Sequence, residues 1–154
     1  MKYLLKISAI CLVSSITLPS HAYSPKLLLL EDNAGLSQTY LDQNSKKRVA
    51  KDTIQVMVYF KSNSPVTSYV SDPYRSSITT TIVKCKNKTV AVGGGVFYAG
   101  RTSNSKTVGR FDEMTVRGFD GDDLRESTHM YDHLYYESIQ TSLINRKIYD
   151  FACK

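Results

Sequence analysis

RSSITTTIVKCKNKTVAVGGGVFY, residues 75–98, decides how this chain folds. Its first part is dense in β-branched side chains, Ile78, Thr79, Thr80, Thr81, Ile82 and Val83, which suit the pleated surface of a strand ending at Cys85. Lys86-Asn87-Lys88 is a tight polar link, and Thr89 to Tyr98 returns as the hairpin partner. Gly93-Gly94-Gly95 interrupts that returning strand. Glycines there predict a bulge or a close backbone approach. A phosphate loop is excluded, because no helix follows the run and the lysine of such a loop is missing.

Outward from this hairpin, Asp52 to Phe60 alternates Ile54, Val56, Val58 and Phe60 with Gln55, Met57 and Tyr59, the period of a half-buried strand. Pro25 to Leu30 reads as an opening strand, Glu31 to Gly35 as a turn, and Ser37 to Leu41 as a second strand. Gln43 to Lys51 is polar and reads as a loop or hairpin end, and Ser62 to Tyr74 as a long surface connection. After the Gly100 to Ser105 turn, Lys106 to Val116 is a further strand and Arg117 to Thr128 a second long loop. From His129 or Asp132 onward Tyr136, Ile139, Leu143, Ile144, Ile148 and Phe151 recur at helical spacing. Lys147 intrudes on that face, and Asp132 is placed to cap the helix start. The expected fold is α+β, an antiparallel sheet of about five to six strands with one C-terminal helix packed on it.

The first 22 residues read as an export signal. Lys2 and Lys6 precede an apolar run from Ile7 to Leu18, and Ser20-His21-Ala22 forms a small-x-small cleavage site. That run is too short to span a bilayer. Residues 23–154 then form a single domain, long enough to bury a core. Loss of Lys2 and Lys6 takes the basic residues from 20 to 18 against 14 acidic ones, so the formal charge falls from +6 to +4. Such a mildly basic surface is no nucleic-acid binder, though it favours anionic glycans through screened attraction. Cys11 leaves with the signal, and Ile10 before it is too large for a lipoprotein site. Cys85 and Cys153 remain, an even pair in an oxidising compartment, and are expected to be joined. The bond would close a loop worth ~4 kcal/mol on the chain-entropy argument.

Residues that carry chemistry are sparse. His129 and His133 lie four apart, but Met130 stands where a zincin would have Glu. Asp120-Gly121-Asp122-Asp123 with Glu126 has its glycine in the wrong place for a calcium loop. No serine sits in a nucleophile elbow. No carboxylate pair has the apolar walls that raise a catalytic acid's pKa. The expectation is a binding protein without catalytic residues, metal or cofactor. Lys46-Lys47-Arg48 with Lys51 is one basic cluster, and Lys84 with Lys86 and Lys88 is another. If the fold brings them together they form a patch for anionic ligands.

Five stretches in order resemble the surface-adhesin E family of exported Gram-negative domains. They are Thr39-Tyr40-Leu41-Asp42, Ile54 to Phe60, Ile82-Val83-Lys84-Cys85, Gly95-Val96-Phe97-Tyr98-Ala99-Gly100, and the expected helix from Leu134 to its terminal Cys153. The resemblance implies a sheet with a C-terminal helix held by the disulfide. It implies binding of host matrix or plasma glycoproteins of the vitronectin, laminin and plasminogen class, as a homodimer in one form. It marks the stretch from Ser62 to Val92 as the binding segment, with Tyr69, Tyr74, Arg75, Lys84, Lys86 and Lys88 as the ligand-binding residues. The family's lipid-anchored form has a cysteine at its cleavage site, which this chain lacks. The alternative reading is therefore a periplasmic accessory or inhibitor protein of the same fold.

Overall fold

The structure is a computed structural model and describes residues 23–68, 70–112 and 131–154. Strands β1 (Leu27–Asn33), β2 (Ser37–Ala50), β3 (Thr53–Val66), β4 (Tyr74–Lys84), β5 (Thr89–Tyr98) and β6 (Thr107–Asp112) lie side by side in chain order. Each is antiparallel to the next. β7 (Glu137–Ser138) pairs with Thr89 and Val90 of β5. Helix α1 (Leu143–Cys153) closes the chain, and its Cys153 is bonded to Cys85. The expected α+β sheet, helix and disulfide are all present.

Alternation along the strands builds one main core. Ile54, Val56 and Val58 of β3 join Leu30, Leu41, Val83 and Val90 of neighbouring strands beneath Ile148 and Ala152 of α1. Each full burial of such a side chain is worth about 1.5–3 kcal/mol. Ile82 and Ala91 face the other way and are covered by Leu134, with Tyr131 and Tyr136 at the margin. The chain from Tyr131 to Cys153 therefore wraps one edge of the sheet. Residues 131–136 lie on one face, β7 pairs at the β5 edge, and α1 lies on the other face.

That wrap shortens the helix read from the sequence. Tyr136 and Ile139 have helical spacing from Leu143, yet they belong to the crossover rather than to the helix. Ile139 is buried and its N–H donates to the Lys88 carbonyl, a bond that a helix would have kept to itself. Ser142 is the cap, with its Oγ accepting from Asn145 N at 3.0 Å. Asp132 pairs instead with Lys84. Lys147, the misfit on the apolar face, donates its Nζ to the Leu30 carbonyl at the β1 bulge. Its stem covers apolar surface while its charge reaches an acceptor.

Three further boundaries move. β2 runs on to Ala50 through the stretch read as a loop or hairpin end, with a register slip between Asp42 and Lys47. Ser45 bridges the slip, donating to Asp42 O at 2.6 Å and accepting from Met57 N at 2.7 Å. A side chain thus replaces a lost ladder bond, which explains how so polar a segment stays in the sheet. β1 continues to Asn33, so the turn shrinks to residues 34–36, with Gly35 at φ +76°. β3 extends to Val66, which shortens the surface connection after it. The last strand is seen as Thr107–Asp112; residues 113–116 and the loop 117–128 lie outside the described residues.

The glycine run behaves as its composition demands. Thr80 and Thr81 of β4 oppose Gly94 and Val92, leaving Gly93 as the extra residue of a bulge. A Cβ on Gly95 would lie 3.0 Å from Thr79 Cγ2 and 3.1 Å from Phe111 Cε1. The bare backbone there makes room for an aromatic cluster. Phe97 packs edge-on to Tyr74 at 4.8 Å, Tyr74 to Phe60 at 6.3 Å, and Phe111 follows at 5.9 Å from Phe97.

Candidate binding surface

The β2–β3 turn at Lys51-Asp52 and the β4–β5 turn at Cys85–Lys88 emerge at the same end of the sheet. Thr53 pairs with Lys84, and Cys85 N donates to Asp52 O at 2.8 Å, so the roots of the two turns are bonded together. Each turn ends in a left-handed residue just before its outgoing strand, Asp52 at φ +56° and Lys88 at φ +55°. The disulfide anchors the same corner to the end of α1.

The two basic clusters meet at this corner. Lys46, Lys47, Arg48 and Lys51 are exposed on the end of β2 and its turn, and Lys86 and Lys88 are exposed on the neighbouring turn. Three nearby cations are held. Lys84 binds Asp132 and lies 4.3 Å from the centre of the Tyr136 ring. Lys154 pairs with Asp150 at 2.8 Å, and Lys46 donates to Phe151 O at 3.0 Å. Burial pushes the Tyr136 phenol up to about 12, with the Asp132 charge adding to the shift. Its hydroxyl donates to Tyr131 O at 2.8 Å, fixing the platform under Lys84. Among the described residues the corner carries an excess of positive charge, with Lys46 lying 5.3 Å from the centre of the Phe151 ring.

The ligand-binding set expected from the sequence does not form one site. Lys84, Lys86 and Lys88 sit at the basic corner, whereas exposed Arg75 begins β4 at its opposite end. Nine residue steps separate it from Lys84, roughly 30 Å at strand rise. Tyr74 is 3% exposed and lies inside the aromatic cluster, so its ring supports the sheet. Tyr69 lies outside the described residues, as do His129 and the acidic run at 120–126; His133 is exposed in the crossover. The contribution of Lys46 to Lys51 was written in the sequence as a basic run. Its neighbour followed from the fold, because the stretch Gln43 to Lys51, read as a loop or hairpin end, is the end of β2.

The sheet face away from α1 carries a second kind of surface. One ladder rung crosses all six long strands as Leu29, Tyr40, Tyr59, Ile78, Val96 and Arg110. Tyr40, Tyr59, Ile78 and Val96 are half-buried and Leu29 is 47% exposed. Lys61 lies 5.4 Å from the centre of the Tyr40 ring. Asp42 points to this face but is fully buried, accepting from Lys26 N and Asn44 N at 3.0 Å each and from the Tyr23 hydroxyl.

A family model for surface-adhesin protein E matches residues 28–154, the whole of the described sheet but its first residue, and α1. This chain belongs to that family. Among solved structures it is similar to protein E from non-typeable Haemophilus influenzae, with a TM-score of 0.50, 13% sequence identity, and coverage of 88% of this chain and 86% of that one. At that identity the likeness is one of fold. No curated protein matches the sequence. Family and fold together are those of a surface adhesin, a binding protein. No helix among the described residues is long and apolar enough to cross a membrane.

Proposed function

We propose that this adhesin-family chain is exported by its first 22 residues and binds host extracellular-matrix or plasma glycoproteins of the vitronectin, laminin and plasminogen class. Family membership over residues 28–154 carries the reading. It is supported by the absence of a nucleophile–base arrangement in the sequence and by a disulfide-held corner of exposed cations suited to a secreted binding face. Contact runs through the basic corner, with charge speeding encounter more than it slows release. The test has two arms. Protease shaving of intact cells asks whether the mature domain is on the outside, and immobilised vitronectin, laminin and plasminogen ask what it holds. Surface exposure with binding to one of the three is the expected result. A chain protected from protease and inert toward all three is instead the periplasmic accessory or inhibitor protein.

Self-association belongs to the same reading. The favouring observation is the row Leu29, Tyr40, Tyr59, Ile78 and Val96, which crosses five strands and ends at Arg110. Lys61 and Arg110 share that face with Asp32 and Asp112, so two copies related by a two-fold axis can match opposite charges. Tyr59→Arg is expected to convert a dimer to a monomer in sedimentation without lowering the unfolding midpoint. A parent that sediments as a monomer removes this part of the proposal.

A further inference from the structure

We infer that the basic corner is a site for a linear sulfated glycan, bound across the two adjacent turns. This rests on the reading of the chain as an exported binding protein and names the partner chemistry of its basic corner. Six exposed cations, Lys46, Lys47, Arg48, Lys51, Lys86 and Lys88, stand on the end of β2 and the two turns. Among the described residues, the carboxylates around them are engaged or outnumbered. Asp132 holds Lys84 and Asp150 holds Lys154, which leaves Asp52 as the acid on the turns themselves. The turns are separated by about two strand spacings, roughly 10 Å. A polyanion with charges repeated along its length can therefore reach both at once.

The chemistry of the corner suits an anionic chain better than an apolar protein patch. Protein interfaces centre on buried aromatic or aliphatic anchors with a polar rim. Here the exposed tips at Lys46 to Arg48, Lys51-Asp52 and Lys86-Asn87-Lys88 are all polar, and the aromatic rings nearby lie under lysines rather than beside them. A surface with cations and no apolar centre fits a ligand that is itself hydrated and uniformly anionic. The fold keeps the cations at fixed spacing by the Cys85–Asp52 backbone bond and by the Cys85–Cys153 bridge. Lys88 contributes a further sign of a built corner, since a long side chain occupies a left-handed position that glycine would fill with less strain.

Heparin-derived oligosaccharide is the probe, titrated into the disulfide-closed mature domain at low and at physiological salt. Binding is expected, and it weakens by roughly tenfold or more across that range, as counterion release requires. The pair Lys86→Ala with Lys88→Gly is expected to weaken binding about tenfold. Lys88→Gly relieves the left-handed backbone, so that loss cannot be a folding failure when the unfolding midpoint is held or raised. The pair Arg48→Ala with Lys51→Ala gives a similar loss. The triple Arg75→Ala, Arg101→Ala and Lys106→Ala, which removes cations from the far end of the sheet, stays within about twofold. Equal loss in the far-end triple overturns the proposal, as does binding that survives desulfation of the probe or is indifferent to salt. Glycan binding without capture of any host glycoprotein leaves this site standing and removes the adhesin reading. Glycoprotein capture by a domain that ignores the sulfated probe does the reverse.

Discussion

The backbone N–H of Cys85 donates to the carbonyl oxygen of Asp52 at 2.8 Å, joining the root of the β4–β5 turn to the β2–β3 turn. One residue thus serves two links, because the Cys85 side chain is also bonded to Cys153 at the end of α1. The bridge closes a separation of 68 residues, which the chain-entropy argument values at about 4 kcal/mol. Cys153→Ser is expected to lower the unfolding midpoint and to speed amide exchange in α1 more than in β3. An unchanged midpoint in the non-reduced comparison would show that the bridge is not structural.

Ser142 starts α1, so Ser142→Ala is expected to destabilise the domain by about 1 kcal/mol, the usual cost of losing a cap. Asp132→Ala leaves the cap intact and breaks the half-exposed pair with Lys84, which is worth less. Chemical denaturation of the two variants ranks them. A larger effect for Asp132→Ala would return the helix start to the position that spacing alone indicates.

Much of the architecture was legible because it is local. β-branched density marked β4, alternation marked β3, and the triple glycine marked the β5 bulge at Gly93. The even cysteine pair named the bridge. What escaped was set by distant partners. The end of β2 reads as a loop or hairpin end, and its place as a continuous strand escapes because its ladder is completed by the Ser45 side chain. Tyr136 and Ile139 keep helical spacing with α1 but are recruited by Ile82, Ala91 and Lys88 across the sheet edge. The basic clusters were visible one by one, while their meeting depended on the full length of β2. Tyr74 has the composition of a recognition residue, and its burial follows only from where Phe60 and Phe97 come to lie.

Tyr74 accordingly belongs to the stability of the fold. Tyr74→Ala removes a nearly buried ring from between Phe60 and Phe97, and a loss of about 3–5 kcal/mol is expected from such a deletion. Tyr74→Phe keeps the ring and gives up the hydroxyl contact with Ser68 at 3.0 Å, and it is expected to bind ligand as the parent does. Reduced binding by a fully folded Tyr74→Phe would restore this residue to the ligand surface.

Alkaline stability reports on the crossover. Burial and the Asp132 charge raise the Tyr136 phenol from 10.0 to about 12. The folded chain holds this proton more tightly than the unfolded one, so the contribution is complete below pH 10 and is lost as pH climbs toward 12. Tyr136→Phe has no proton to lose and is expected to show a shallower fall of the unfolding midpoint across that window. Curves of identical slope would mean that Tyr136 ionises as freely in the fold as outside it.

The central claim, that this adhesin-family domain meets its partners through the corner of two turns, is tested most directly by its association rate with immobilised vitronectin. Three proteins are compared at physiological salt: the parent, a corner variant with Lys51→Ala, Lys86→Ala and Lys88→Gly, and a far-end variant with Arg75→Ala, Arg101→Ala and Lys106→Ala. The account predicts association slowed about tenfold in the corner variant and unchanged within about twofold in the far-end variant, with dissociation little altered in either. Equal slowing in both variants, or parent-like association by the corner variant, would contradict it.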